Sequence, residues 1–220
     1  MNTNIVIHWD SLEYMKTLPD KCIDLVLTDP PYWIDIWKMN FTSWANWWVA
    51  KRNDYRWKAN WDSSIPDIEY FDEIFRISKK QIIFWWNYFT EILPPTKSWI
   101  IWDKRVEEKY SNDFADCEMA WCSEWQARIF RFLWSWMLQW NMKHKEKREH
   151  PTMKPKELFK WCLENYSQPW DIILDCFAWS WTTAVASIEL WRKYIVIEKD
   201  EDYCNIIHKR IRNTTPPLFI

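Results

Sequence analysis

Two short acidic stretches carry the chemistry of this chain. The first is TDPPYW, residues 28 to 33. Asp29 closes an apolar, strand-like run, Pro30 and Pro31 stiffen the turn, and Tyr32 sets an aromatic face beside the carboxylate. A carboxylate oxygen and a proline carbonyl can both accept hydrogen bonds from an exocyclic amine, while the heterocycle that bears the amine stacks on tyrosine. With two acceptors on its protons, the nitrogen lone pair is freed from ring conjugation and can attack an electrophilic methyl group, with no general base required. Taken alone, the quartet DPPY is also compatible with an ordinary strand-ending turn.

The second stretch is LDCFAWSWTTAVA, residues 174 to 186. Asp175 ends a strand-like run, Thr182 and Thr183 open a helix-like run, and Glu198 ends the strand that follows. In a doubly wound sheet this spacing places a nucleotide-like ligand at the carboxyl ends of adjacent strands, with the distal acid on ribose hydroxyls. A dinucleotide-dependent oxidoreductase shares that strand, turn and acid, but it leaves DPPY without a role. The turn calls for small residues so that a ligand can approach the backbone, yet Trp179 and Trp181 stand there.

Those two tryptophans belong to a wider anomaly. The chain has no glycine in 220 residues and 22 tryptophans, where average usage of about 7% predicts roughly 15 glycines. Trp170 follows Pro169 in a turn that often needs positive φ, and Trp191 follows a helical run where a left-handed residue normally ends a helix. Tryptophans 61, 99, 102, 121, 125, 134 and 161 sit in apolar or aromatic contexts and need no special backbone. The remaining fifteen, at 9, 33, 37, 44, 47, 48, 57, 85, 86, 136, 140, 170, 179, 181 and 191, are assigned to positions that ask for glycine. Indoles at such sites strain the fold and crowd the ligand loop.

The elements that must position these residues alternate. NIVIHW, CIDLVLTD, QIIFWW, SWIIWDK, RIFRFLW, DIILDCF and KYIVIEKD read as strands; SLEYMKTL, IEYFDEIFRIS, HPTMKPKELFKWCLENY with Pro155 near the helix start, TTAVASIEL and EDYCNIIHKRI read as helices. This predicts one α/β domain over residues 1–220: a doubly wound, mostly parallel sheet with helices on both faces, of the Rossmann-like kind. Residues 33–60 are the least patterned and read as a long loop, and 104–149 read as a small inserted recognition region ending in a charge run, KHKEKREH. That run is equally compatible with a solvated loop.

Composition sets further bounds. With 29 basic and 31 acidic residues, a polyanion must be held by a local patch, not by net charge. Six cysteines show neither a CxxC pair nor metal-finger spacing, so no metal site is expected and a reducing cytoplasm is. No apolar run is long enough to span a bilayer.

Five segments in one order resemble the S-adenosylmethionine-dependent, amino-methylating DNA methyltransferases, especially small phage-type adenine-N6 enzymes of restriction-modification kind. TDPPY is similar to their catalytic motif, and LDCFAWSWTTAVA to their cofactor loop, with tryptophan in both glycine places. HPTMKP resembles the segment preceding that loop, VIEKDEDYC the acidic strand end, and VIHWDSLEYMKTLPD the opening. The amine motif precedes the cofactor loop, as in the circularly permuted beta group.

The resemblance implies that Asp29, Pro30 and Tyr32 hold the target amine and that Pro31 shapes the turn. It implies that Asp175, Phe177, Ala178, Thr182 and Thr183, with Trp179 and Trp181 between them, line the methionine side of S-adenosylmethionine. Glu198 then bonds the ribose, Asp10 lies near the adenine, and His150, Thr152, Lys154 and Pro155 flank the amino-acid end. Asp10 also suits a helix N-cap and Lys154 a solvated helix start. The implied partner is double-stranded DNA, entered by base flipping, with phosphate contacts sought at Lys143 to Arg148 and at Lys51, Arg52, Arg56 and Lys58. Homodimerisation, cytosine-N4 methylation and a catalytically inactive DNA-binding variant stay open.

Overall fold

The computed structural model describes residues 1–31, 66–106, 115–134, 140–141, 143, 153–179 and 182–216. The expected loop at 33–60, with Lys51, Arg52, Arg56 and Lys58, lies outside them. In chain order the elements are β1 (Ile5–His8), α1 (Ser11–Lys16), β2 (Ile23–Thr28), α2 (Ile68–Ile77), β3 (Ser78–Phe84), β4 (Ser98–Asp103), β5 (Cys117–Cys122) and β6 (Arg128–Arg131). They continue with α3 (Lys156–Tyr166), β7 (Ile172–Asp175), α4 (Thr182–Glu189), β8 (Lys193–Glu198) and α5 (Glu201–Arg212).

The strands form one sheet in the order β1-β8-β7-β2-β3-β5-β4-β6. Among the described strands only β5 runs antiparallel to its neighbours. The mostly parallel, doubly wound architecture is therefore as expected. From β7 the chain crosses through α4 to β8 on one side; from β2 it crosses through α2 to β3 on the other. The two crossovers diverge from the seam between β2 and β7, the topological switch point at which doubly wound sheets bind ligands.

Alternation along the strands feeds two cores. Leu25, Leu27, Ile82, Phe84 and Val196 face α3, α4 and α5, where Leu158, Phe159, Leu163, Ala184 and Ile207 meet them. Val26, Ile83, Leu174 and Ile195 face α1 and α2, against Met15, Phe71 and Ile74. Each fully buried large side chain contributes about 1.5–3 kcal/mol relative to exposure. Helix α2 is fixed to α1 by Arg76, whose guanidinium donates to the Met15 and Leu18 carbonyls at 3.0 and 2.9 Å, satisfying the end of α1.

Strand β5, within 104–149, was not legible in the sequence. Cys117–Cys122 and Arg128–Arg131 are strands of the central sheet. CEMAWC lacks strict alternation because its first half is partly exposed and carries Glu118, whereas its second half is buried.

The tryptophan anomaly has a backbone signature. Trp85, Trp170 and Trp191 have φ of 57°, 73° and 60°, in the left-handed region that favours glycine. All three belong to the fifteen, and none of the described tryptophans read as ordinary has positive φ. Trp191 ends α4 with the paired bonds of a Schellman turn: its N–H reaches the Ile188 carbonyl and that of Arg192 the Ser187 carbonyl. Trp170 follows Pro169 in a turn closed by Asp171 N–H on the Gln168 carbonyl at 3.1 Å, and its ring lies 5.9 Å from that of Trp191. A left-handed non-glycine residue costs about 1–2 kcal/mol. Trp191→Gly is therefore expected to raise stability by about 1 kcal/mol, while Trp102→Ala in the core lowers it by about 3–5 kcal/mol. Denaturant unfolding of both variants checks the opposite signs.

Candidate functional site

Chemistry-bearing residues gather at the carboxyl ends of β2, β3, β7 and β8. Strands β2 and β7 pair in parallel, with Leu25 opposite Ile173 and Val26 opposite Leu174. That register carries Thr28 and Asp175 to the same end of the seam, and the Thr28 hydroxyl donates to Asp175 Oδ1 at 2.8 Å. The next residue on β2's side is Asp29, buried with Pro30 behind it. The two stretches singled out in the sequence are thus brought together. Tyr32 and Trp181 lie outside the described residues, as do His150 and Thr152.

Asp29 is the focus. Its Oδ2 is ion-paired with the ammonium of Lys154, and both side chains are almost wholly buried. Its Oδ1 is buried with no hydrogen-bond partner among the described residues. Burial raises the carboxyl from its ordinary 3.8 to about 7, against the pull of Lys154 and with the help of Glu118 and Asp175. A buried carboxylate oxygen left without a donor is costly. A ligand amine would satisfy it.

Lys154 is not a solvated helix-start lysine: it lies 2% exposed on Asp29, with its ammonium 5.1 Å from the Phe84 ring centre and 5.5 Å from that of Trp85. Pro155, also buried, caps α3 in extended conformation and delivers Lys154 inward.

Asp175 is engaged on both oxygens. Thr183 donates to Oδ2 at 2.6 Å, and the Phe177 N–H joins Thr28 on Oδ1 at 3.2 Å. Burial raises its carboxyl to about 6 despite these bonds. Thr182 and Thr183 are fully buried, and the Thr183 hydroxyl ties the loop to Asp175. The loop closes through Ala178 N–H on the Ile197 carbonyl and Trp179 N–H on the Phe177 carbonyl. The Phe177 ring packs 5.6 Å from that of Tyr70, on the first turn of α2.

Asp10 is the N-cap of α1, accepting from Leu12 and Glu13 N–H at 2.9 and 3.3 Å, and it also accepts from the Tyr70 hydroxyl at 3.2 Å. The capping reading holds. Glu198, 9% exposed at the end of β8, accepts the Asp200 N–H on Oε1 at 2.7 Å, and burial raises it to about 7.

Three participants had no linear signal. Tyr70, Glu118 and Lys104 come from α2, β5 and the turn after β4; each is recognisable only by what it touches. Glu118 accepts from Lys104 at 3.0 Å and lies 3.7 Å from Lys154.

Residues 74–209 match the family model described as DNA methylase. The chain belongs to this family of N6/N4 DNA methylases. It is 26% identical to the type II methyltransferase M.HinfI of Haemophilus influenzae, over 97% of this chain and 69% of that protein. It is equally 26% identical to the DNA adenine methyltransferase YhdJ of Escherichia coli K12, over 94% and 82%. The fold is shared with a DNA modification methylase of Thermus thermophilus solved with S-adenosyl-L-methionine, at a TM-score of 0.60, 15% identity and 97% and 95% coverage. The PvuII cytosine-N4 methyltransferase is also similar, at a TM-score of 0.58 and 14% identity over 98% and 95%. The family acts on DNA, and the Thermus protein of this fold was solved with S-adenosyl-L-methionine, the methyl donor the motifs imply.

The site fits the donor at one end and crowds it at the other. At the first, Glu198 is a buried acceptor at the end of β8, and Asp10 accepts from Tyr70, whose ring packs on Phe177. At the seam, the indole N–H of Trp179 donates to the Asp29 carbonyl at 3.0 Å. The indole bridges the cofactor loop and the amine-binding turn, where glycine would leave a passage.

The raised carboxylates fix the sign of a pH effect. For Glu198 the folded protein holds a proton that the unfolded chain has released between about 4.5 and about 7. That contribution is fully present below the lower value and is lost as pH rises through the upper one. Glu198→Gln is therefore expected to gain stability relative to the parent on going from about pH 5 to about pH 8. Equal differences at the two pH values, read by urea unfolding, would exclude a raised Glu198.

Proposed function

We propose that the methylase transfers a methyl group to the exocyclic N6 amine of adenine in double-stranded DNA, at a base flipped into the seam between β2 and β7. The observation that carries this reading is the buried Oδ1 of Asp29, without a hydrogen-bond partner among the described residues, next to the seam where Thr28 meets Asp175. Adenine is favoured over cytosine by the likeness to YhdJ, which is named a DNA adenine methyltransferase.

S-adenosylmethionine, when bound, supplies an electrophilic methyl group. Asp29 Oδ1 and the Pro30 carbonyl are assigned to accept the two protons of the target amine, Pro31 to shape the turn, and Tyr32 to stack the base. The attack itself needs no base; once the N–C bond has formed, the cationic nitrogen sheds a proton, which a carboxyl raised by burial to about 7 is suited to receive. Glu198 and Asp10 are assigned to the donor's ribose and adenine, Asp175, Phe177, Ala178, Thr182 and Thr183 to shaping its loop, and Lys154 and Pro155 to the neighbouring wall. Flipping costs a few kcal/mol of unstacking, which phosphate contacts must offset. The basic run from Lys143 to Arg148 within 104–149, together with the 33–60 loop, is assigned to them. The single-domain chain would work in the cytoplasm, consistent with its six free cysteines; no helix among the described residues is long and apolar enough to cross a membrane. A homodimer is not needed for this chemistry.

A second reading rests on Trp179. With its indole on the Asp29 carbonyl, the chain as written is held inactive. Methyl incorporation from labelled donor into duplex DNA is expected to rise at least about tenfold in the Trp179→Gly, Trp181→Gly double variant, and to vanish when Asp29→Ala is added. Nucleoside digestion should then place the label in N6-methyladenine. Label in N4-methylcytosine would overturn the adenine assignment, and no incorporation by the reverted chain would overturn the enzymatic reading.

A further inference from the structure

Four charged side chains from four parts of the chain meet behind the amine-binding turn, and two of them have no part in the function just proposed. Lys154 is ion-paired with Asp29 Oδ2 and lies 3.7 Å from Glu118 Oε2. Glu118 Oε1 accepts from Lys104 at 3.0 Å. The side chains of Glu118 and Lys104 are 11% and 17% exposed, against 2% for Lys154. Two carboxylates therefore face one buried ammonium, and the second is itself anchored by an outer lysine. Beneath a sheet, such a group is tolerable because its two positive and two negative charges balance; removing one partner leaves an uncompensated charge that the others must absorb.

We infer that Glu118 is a positioning residue for methyl transfer: anchored by Lys104, it shares the Lys154 ammonium with Asp29 and so sets how firmly Oδ2 is held while Oδ1 is left to the amine. This rests on the amine-methylation reading and adds to it a residue contacting neither base nor donor. The charged groups facing Asp29 are Lys154 ahead of α3, Glu118 on β5 and Asp175 on β7. Strand β3 and the residue after it contribute the rings of Phe84 and Trp85 against Lys154. Lys104 acts through Glu118.

The sign of each perturbation follows. Glu118→Gln keeps the shape but removes the competing charge, so Lys154 is given over to Asp29. Lys104→Gln leaves Glu118 unanchored and more demanding of Lys154, so Asp29 loses part of its partner. The test is the titration of Asp29 in the full chain labelled with γ-13C-aspartate, its resonance assigned by disappearance in Asp29→Asn. The midpoint is expected to fall by about one pH unit in Glu118→Gln and to rise in Lys104→Gln. An unchanged midpoint in either folded variant, or movement of both in one direction, overturns the inference. Lys104 is the more exposed of the two, so its variant keeps the test open if Glu118→Gln does not fold. Neither donor nor DNA is present in this titration, so failed methylation by the glycine-reverted chain leaves its outcome readable. In that reverted chain the acidic limb of kcat should follow the midpoint in both variants; a limb that stays put would reduce Glu118 to a structural role.

Discussion

The hydrogen bond from Thr28 to Asp175 crosses the seam between β2 and β7 and joins residues 147 positions apart. Every other placement in the site depends on that seam. Because the two strands are parallel and in register, both chains leave the sheet at the same end, and their first non-strand residues must share one crevice. The divergent crossovers keep that crevice open. A one-residue slip would turn Thr28 or Asp175 to the other face and separate the amine motif from the cofactor loop.

Around the seam the protein concentrates negative charge in a place that disfavours it. Asp29, Asp175 and Glu198 are all buried and all raised. Each is handled differently. Asp175 is satisfied by two hydroxyls and an amide, which makes it an organiser of the loop. Glu198 takes one backbone N–H. Among the described residues Asp29 has a single buried lysine on one oxygen and no partner on the other, and this asymmetry gives it the makings of a binding group.

The tryptophans act against this arrangement in two ways. At 85, 170 and 191 the cost lies in the backbone, which keeps the left-handed geometry of glycine and forces a large side chain to accept it. At 179 the cost lies in occupancy. Its indole finds a good acceptor, the Asp29 carbonyl, and in doing so closes the space between two motifs whose chemistry requires them to communicate.

Local signals sufficed for much of this protein. Alternating apolar runs, Pro155 before a helix, and the acids at the ends of β2, β7 and β8 are properties of neighbouring residues, so the mostly parallel sheet, the two chemical motifs and the abnormal Trp170 and Trp191 were readable from the chain. Strand β5 was not, because half of it is partly exposed and carries Glu118 toward two lysines, which erases its period. The fate of Lys154 was equally hidden: a lysine beside a helix start is solvated by default, and only the packing of α3 against Phe84 drives this one onto Asp29. Tyr70, Glu118 and Lys104 entered the site in the same way. Sequence by itself determined which residues could do chemistry, since that is a matter of residue type and local spacing. Tertiary structure alone decided which charges are buried together, because desolvation and ion pairing depend on distances between segments far apart along the chain.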